Sequence, residues 1–279
     1  MSLATDPAFD LAFSLAFPVH RVWAEVSPIS QEARAIQRRA VDLGVALSDA
    51  RLVWLDTTIV RPLKSAGIIA VSDRLFFPGR MPTDLAARIN FVSPGTGDLS
   101  PTGGPVFTAD EGYVCDGSDD HLTMSLSVTT TFSTTKWQQD SACSWARASS
   151  LTAGVACPLW GQTAGSTTIG MSRSSGNALV SNTNGSAATF GAAGTSGVLL
   201  AVRRSSTHVR GYIDGTFVSE QAIASAAPAS TRTIAAMRGS ATFSVGRFEA
   251  GGFGAQLSDD QITALQAVTV AAWSAAPPA

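Results

Sequence analysis

A β-hairpin is indicated by His208-Val209-Arg210-Gly211-Tyr212-Ile213-Asp214-Gly215-Thr216-Phe217-Val218. Its Asp214-Gly215 pair suits a two-residue type I′ turn, because both central residues of that turn need a positive φ. Short strand-like runs recur at Val198–Val202 and Thr242–Gly246, and clusters of glycine, serine and asparagine separate them. Short strands at such spacing are typical of a sandwich or jelly roll. The chain from Val106 onward is therefore predicted to be mainly β.

Composition and net charge argue against nucleic acid and membranes as binding partners. The chain has 279 residues, enough for one large β domain and a smaller appendage. Its formal net charge is −2, so it lacks the basic field that draws a protein onto nucleic acid or anionic membranes. It contains no uninterrupted run of eighteen apolar residues, so membrane insertion is not expected.

The cysteines predict no disulfide framework. Cys115, Cys143 and Cys157 are odd in number, form no CxxC pair and lie away from histidine at metal-ligand spacing. We expect reduced, buried thiols, in keeping with a chain that is made and folded in a cytoplasm.

Helix signals are concentrated before residue 88. Ser30 can cap a first helix that stops at Gly44, and Ser48 can cap a second that stops at Gly67. Pro62 lies inside the second helix and should kink it, because proline removes a backbone donor and crowds the preceding turn.

The same signals divide the chain into three segments. Residues 1–29 show no clear period and suit either an extended arm that packs on a neighbouring subunit or a partly ordered tail. Residues 30–88 form a helical docking segment, and residues 89–279 form the β domain. A short C-terminal helix is predicted by a capping box at Ser258 and Gln261.

Several β-region motifs together resemble a known superfamily. Tyr113–Leu122 is similar to the opening strand and Asp-Gly-Ser turn of laminin G-like and pentraxin-like jelly rolls, and His208–Val218 is similar to a late hairpin. Ser244–Arg247 and Gly254–Ile262 are similar to the closing strand and terminal helix. The resemblance runs from Tyr113 to Ile262, and it implies a concanavalin A-like, laminin G-type jelly-roll sandwich.

A narrower resemblance links the helical segment to the jelly roll. The segments Leu63–Ile68, Asp73–Leu75, Asn90-Phe91 and Phe107–Tyr113 resemble phage structural proteins that join this jelly roll to a preceding helical stretch. Arg61-Pro62 interrupts the usual hydrophobic run, so the helical part can bend differently here. The resemblance implies a virion location after synthesis in the host cytoplasm, contacts with other virion proteins, a homo-oligomer and an exposed jelly roll that binds host glycans.

Catalytic patterns are missing from the sequence. Glycoside hydrolysis needs two carboxylates that flank the bond, and glucanases of this superfamily carry Glu-x-Asp-x-x-Glu on one strand. Between Asp140 and Asp214 there is no acidic residue at all. We therefore expect a protein that is not an enzyme. A polysaccharide-cleaving enzyme would have to bring together distant carboxylates such as Asp119, Glu220 and Glu249.

Two kinds of binding residue remain as candidates. Large side chains on presumed loops or strand ends can stack on sugar rings, although core packing is the stronger expectation for each of them: Trp137, Trp160, Tyr212 and His121. Asp116, Asp119 and Asp120 lie close enough in sequence to bind a hard cation. The alternative is that Asp116 caps its turn and the other two are solvated. A calcium ion there would resemble the metal site of the superfamily, and no other cofactor is expected.

The preferred interpretation is a structural and adhesion component of a phage particle, in a head, neck or tail position. Its N-terminal part would dock on other virion subunits, while the jelly roll faces outward. A free-standing carbohydrate-binding module is the alternative, and it would fold and bind as a monomer.

Overall fold

Two antiparallel β-sheets and a layer of helices make up the protein. The computed structural model describes residues 28–128, 136–162, 169–226 and 232–279. The predicted arm, residues 1–29, lies outside the described residues except for its last two positions. The mainly β sandwich with an N-terminal helical segment and a C-terminal helix is confirmed.

The chain crosses repeatedly between the two sheets. Sheet A has the strand order β13-β12-β11-β6-β15-β4-β3, with β1 also paired to β15, and sheet B has the order β10-β9-β8-β7-β14-β5-β2. The strands of sheet A are β1 (Ser72–Phe76), β3 (Val106–Thr108), β4 (Gly112–Asp116), β6 (Ala142–Ser149), β11 (Gly197–Arg203), β12 (His208–Ile213), β13 (Thr216–Ala222) and β15 (Val245–Gly254). The strands of sheet B are β2 (Leu99–Thr102), β5 (His121–Val128), β7 (Cys157–Gln162), β8 (Ile169–Arg173), β9 (Ala178–Thr183), β10 (Ala188–Ala192) and β14 (Arg232–Ala236).

The helices lie on the face of sheet A that points away from sheet B. They are α1 (Gln31–Asp42), α2 (Asp49–Leu55), a π-turn (Asp56–Val60), α3 (Arg61–Ser65), α4 (Ile68–Val71), a 3₁₀ turn (Pro78–Arg80), α5 (Asp84–Ala87) and α6 (Asp259–Ser274). The π-turn and α3 pack against α6, whose Trp273 meets Arg147 of β6. The helical layer therefore covers part of sheet A; β11 is buried along almost its whole length, whereas the edge strand β13 is largely exposed.

The predicted caps and turn are confirmed. The Ser30 and Ser48 hydroxyls accept from amides in the first turns of α1 and α2, and Ser258 and Gln261 form the complete capping box of α6. Asp214 and Gly215 have φ values of 49° and 75°, as a type I′ hairpin turn requires.

The region around Pro62 departs from regular α-helical bonding. Immediately before it, the amide of Arg61 donates to the carbonyl of Asp56, five residues back, which makes the π-turn. A local irregularity is what the missing proline donor predicts. The buried Asp56 carboxylate fixes this turn, because it accepts from the Ser30 amide at 3.0 Å and from Arg61 Nε at 2.8 Å.

One hydrophobic core extends through the helices and the sandwich. Leu55 and Ile59 in the helical layer belong to the same cluster as Trp145 and Trp160 in the sheets. The strand β1, inside the predicted docking segment, pairs with β15, so the segments 30–88 and 89–279 also share a sheet. The three cysteines are free and buried, and burial raises the pKa of the Cys115 thiol to about 12. Within the described ranges, no helix has the length and apolar character that a membrane crossing needs.

Candidate functional site

The most suitable binding surface is a groove on the outer face of sheet B. It runs across β7, β8 and β9, and the loop Met237–Ser244 forms one wall, with a volume of about 280 Å³. We call it the sheet B groove and define it by its described lining: Ala156, Pro158, Trp160, Gly161, Gly170, Met171, Ser172, Asn182, Gly239, Ser240 and Thr242. Its volume is near the lower end of the roughly 300–1,000 Å³ that is typical of small-molecule sites.

Glycine shapes the wall of this groove. The Met237 amide donates to the Leu159 carbonyl at 3.0 Å, and the Ser244 hydroxyl donates to the Pro158 carbonyl, so both ends of the loop are tied to β7. A Cβ at Gly161 would lie 2.5 Å from the Arg238 carbonyl oxygen. Only a residue without a side chain lets the loop approach β7 this closely.

Four polar side chains line the groove with their hydrogen-bonding capacity unused. Among the described residues, the Asn182 amide and the hydroxyls of Ser172, Ser240 and Thr242 make no hydrogen bond to protein. Their donors and acceptors are therefore available to a ligand. The same lining contains no aspartate, glutamate, lysine, arginine or histidine. The groove suits an uncharged ligand that is rich in hydroxyl groups.

The two tryptophans proposed for sugar stacking lie inside the sandwich. Trp137 is 1% exposed and its Nε1 donates to the Asn184 side chain at 2.7 Å. Trp160 is 2% exposed, and its Nε1 donates to the Trp145 carbonyl at 2.7 Å. Although Trp160 borders the sheet B groove, its ring packs edge-on against Phe248 between the sheets. Neither ring offers a free face to a sugar.

The other two candidates are also engaged internally. The Tyr212 hydroxyl donates to Asp259 at 2.8 Å, which joins β12 to the start of α6. His121 Nδ1 lies 2.7 Å from the Asp119 carbonyl and Nε2 lies 3.0 Å from Arg238 Nη1. Both side chains are buried. Burial of all four favours the core-packing alternative, and they are not carried forward as a stacking surface.

The acidic cluster does come together at the turn between β4 and β5. Carboxylate oxygens of Asp116, Asp119 and Asp120 lie within 4.8 Å of one another. Asp116 accepts from the Ser118 amide at 2.8 Å, which is the turn-capping role, and Asp120 accepts from the Asp116 amide at 3.1 Å. Burial raises the pKa of Asp120, and the neighbouring carboxylates add to the effect. Three oxygen donors fit the chemistry of a calcium site, which stays a prediction.

Two of the distant carboxylates, Glu220 and Glu249, are too far apart to act as an acid/base pair. Glu220 is on β13 and Glu249 is on β15, which are four strand spacings apart in sheet A. At about 4.8 Å per spacing this is roughly 19 Å, whereas glycosidase carboxylates are about 5–9.5 Å apart. Glu220 pairs with Arg210, and Glu249 pairs with Arg147 at 2.6 Å.

Comparison with known proteins supports the fold. No family model matches the sequence, and no curated protein matches it. Among solved structures, the receptor-binding domain of botulinum neurotoxin C/D mosaic serotype has a TM-score of 0.53 at 12% identity, covering 71% of this chain and 51% of that one. Trypanosoma rangeli sialidase, alone and in complex with sialic acid, has a TM-score of 0.51 at 11% identity, covering 80% of this chain and 40% of that one. This chain thus spans about half or less of those proteins, and the likeness shows a β-sandwich.

Sequence reasoning missed the residues of the groove. Ser172 and Asn182 are outward-facing positions of β8 and β9, and Ser240 and Thr242 belong to a loop that returns over the sheet. Small polar residues in a serine- and threonine-rich region carry no distinctive signal. The alternation of buried and half-buried residues along β9 identifies its outer face, once the strand is known.

Proposed function

We propose that this protein is a non-enzymatic structural and adhesion component of a phage particle, and that its β-sandwich binds a neutral glycan in the sheet B groove. The observation that carries the binding role is the uncharged groove with four unengaged polar side chains. One or two sugar rings are the size of ligand that this volume accepts.

The chemistry of the groove favours sugar over other ligands. Sugar sites combine a few polar groups that fix hydroxyls with apolar surface that covers the ring. Here the hydroxyl and amide groups surround Pro158, Gly161 and Gly170, whose carbon atoms supply the apolar surface of the groove, while the side chains of Trp160 and Met171 are buried beneath it. One protein of similar fold is a receptor-binding domain, and another binds sialic acid. These neighbours make a glycan ligand reasonable, while the groove itself indicates that the ligand is neutral.

Glycan screening with the full chain tests the binding role. Neutral oligosaccharides that bind on an array are titrated calorimetrically against the wild type and two groove variants. Asn182→Ala removes one side-chain partner and should weaken binding roughly three- to tenfold. Ser172→Tyr should abolish binding, because its ring fills the groove. Thr189→Ala, on the exposed outer face of β10, is the matched control and should bind like the wild type.

Binding and cleavage give different results in the same assay. If the protein releases reducing sugar from a bound oligosaccharide, the enzyme alternative replaces the binding proposal, and variants at Asp119, Glu220 and Glu249 then identify the carboxylates. If no neutral glycan binds, or if Ser172→Tyr binds as well as the wild type, the groove is not the site.

The virion role is supported by the sequence resemblance to phage structural proteins, and it predicts other virion proteins as partners and a homo-oligomer. Light scattering and electron microscopy should show a defined oligomer or incorporation into particles. A variant that lacks residues 1–27 keeps every described core residue and should lose assembly while keeping glycan binding. A full-length monomer that joins no particle would instead favour the free-standing carbohydrate-binding module.

A further inference from the structure

A second cleft lies on the opposite side of the molecule, where the C-terminal end of α6 meets sheet A. It has a volume of about 390 Å³, and its charged and aromatic lining consists of Arg80, Asp110, Glu111, Arg247, Glu249 and Trp273. No residue of this cleft belongs to the sheet B groove, so the two surfaces can be tested separately.

Each carboxylate of the cleft already has an arginine partner. Asp110 lies 2.5 Å from Arg51 Nη1. Glu111 lies 2.7 Å from Arg247 Nη1. Glu249 is 2.6 Å from Arg147 Nε. Three negative charges are thus matched by three positive ones, and Arg80 is the fourth positive charge.

Arg80 has no carboxylate within ion-pairing distance among the described residues. The side chain is nevertheless buried, with 8% of its surface exposed. Its Nη1 donates to the Asp110 carbonyl at 3.3 Å, and its Nε has no hydrogen-bond partner.

Burial makes this unmatched charge costly. The guanidinium carbon lies 4.4 Å from the centre of the Trp273 ring, and Arg147 lies 4.6 Å from the same ring. Loss of hydration lowers the pKa of Arg80, even though the charges of Glu249 and Asp110 oppose that shift. A buried charge is normally paired or bound to a counter-ion. The cleft beside Arg80 provides the space for one.

We infer that this cleft is a second binding site, which takes a compact carboxylate-bearing ligand through the Nη2 end of Arg80, because Nη2 makes no hydrogen bond within the described residues and, unlike Nε, is not buried. A planar guanidinium forms charge-assisted hydrogen bonds to both oxygens of a carboxylate, which gives the site geometric as well as electrostatic selectivity. The paired carboxylates Glu111 and Glu249 repel ligands with more than one negative charge, so a singly charged acid such as a uronic acid fits best.

The test uses two sugars that differ at one carbon. D-galacturonate carries a carboxylate where D-galactose carries a hydroxymethyl group. The full chain, labelled with ¹⁵N-arginine, is titrated with each sugar, and the Nε–H resonances are followed by NMR. Galacturonate should shift the Arg80 resonance, which is assigned by its loss in Arg80→Lys, and galactose should not shift it.

Variants show whether Arg80 carries the binding. Arg80→Gln should weaken galacturonate binding at least tenfold, and Arg80→Lys should weaken it less, because lysine keeps the charge without the planar donors. Arg210→Gln is the matched control, since it removes an exposed arginine paired with Glu220 elsewhere on sheet A. If Arg80→Gln does not fold, the wild-type titration and Arg80→Lys still decide the question.

Several results would overturn the inference. The first is that tens of millimolar galacturonate cause no shift of the Arg80 resonance. The second is that Arg80→Lys and Arg80→Gln bind galacturonate with unchanged affinity. The third is that inorganic phosphate causes an equal shift, which would reject selectivity for a carboxylate. Ser172→Tyr in the sheet B groove should leave the galacturonate titration unchanged. Failure of one site is therefore distinguishable from failure of the other.

Discussion

Replacing Ile59 by alanine tests whether the helical layer and the β-sandwich unfold as one unit. Ile59 lies in the π-turn that packs against α6, and none of its surface is exposed. The π-turn and the sheets belong to one hydrophobic cluster. Loss of packing in the helical layer should therefore destabilise the whole protein.

The expected cost follows from the atoms removed. Isoleucine to alanine deletes three carbon atoms, and burial of each is worth about 0.8 kcal/mol, or about 2.4 kcal/mol in total. A cavity in a layer held between α6 and α1 collapses only partly, which raises the expected cost to about 3–4 kcal/mol. Val53→Ala, on the same helical run but 37% exposed, is the control and should cost less than about 1 kcal/mol.

Urea unfolding followed by far-UV circular dichroism and by tryptophan fluorescence measures the effect. Ile59→Ala should lower the midpoint of both signals equally, because three of the five tryptophans in the described ranges, Trp137, Trp145 and Trp160, lie in the sandwich and the helices dominate the dichroism. If the dichroism midpoint falls while the fluorescence midpoint stays at the wild-type value, the helical layer unfolds independently and the reasoning fails.

Three further predictions concern local contacts. Asp56→Ala should destabilise by about 2–3 kcal/mol in urea unfolding, because Arg61 and the Ser30 amide lose a buried acceptor. Gly215→Ala should cost about 1–2 kcal/mol by thermal unfolding, since its φ of 75° strains a side chain and a Cβ would lie 2.6 Å from a neighbouring side-chain carbon. Arg204 and the Tyr212 hydroxyl hold the pKa of Asp259 at about 2, below its value in the unfolded chain. The stabilisation of the folded state by the Asp259 carboxylate is therefore present above pH 4 and is lost as the pH falls toward 2. Solvent screening keeps that contribution below about 1 kcal/mol, and Asp259→Asn should remove this part of the acid sensitivity.

Local rules predicted the elements that depend on neighbouring residues. Sequence reasoning found the helix caps and the hairpin turn because each depends on residues within about four positions of one another. These are the caps at Ser30, Ser48 and Ser258 and the turn at Asp214-Gly215. The strand β1 was missed, since it is a short edge segment whose partner, β15, is about 170 residues further along the chain. The continuous apolar run Val198–Val202 could have indicated a strand buried on both faces. A strand with one solvent-exposed face is expected to alternate apolar and polar residues instead.

The candidate sites depended on pairings that sequence order does not reveal. The residues selected for sugar binding were large side chains on presumed loops or strand ends, and large side chains are also what a tightly packed interior uses. The groove instead uses small polar residues from β8, β9 and a loop that follows β14. Arg80 was not distinguished from the other arginines, because its lack of a carboxylate partner emerges only when Asp110, Glu111 and Glu249 are each seen with their own arginine.

The order of the layers, with helices on sheet A and the groove on sheet B, affects whether particle attachment and glycan binding can occur together. The described chain enters through Pro28, whose carbonyl accepts from Arg61 on the helical layer. Residues 1–27 therefore connect to the side of the molecule that carries the helices, which cover sheet A. Among the described residues no helix lies on the outer face of sheet B, where the groove is. If the proposed particle contact is made on the helical layer, the groove on sheet B stays open to a ligand, and both proposed roles can operate at once.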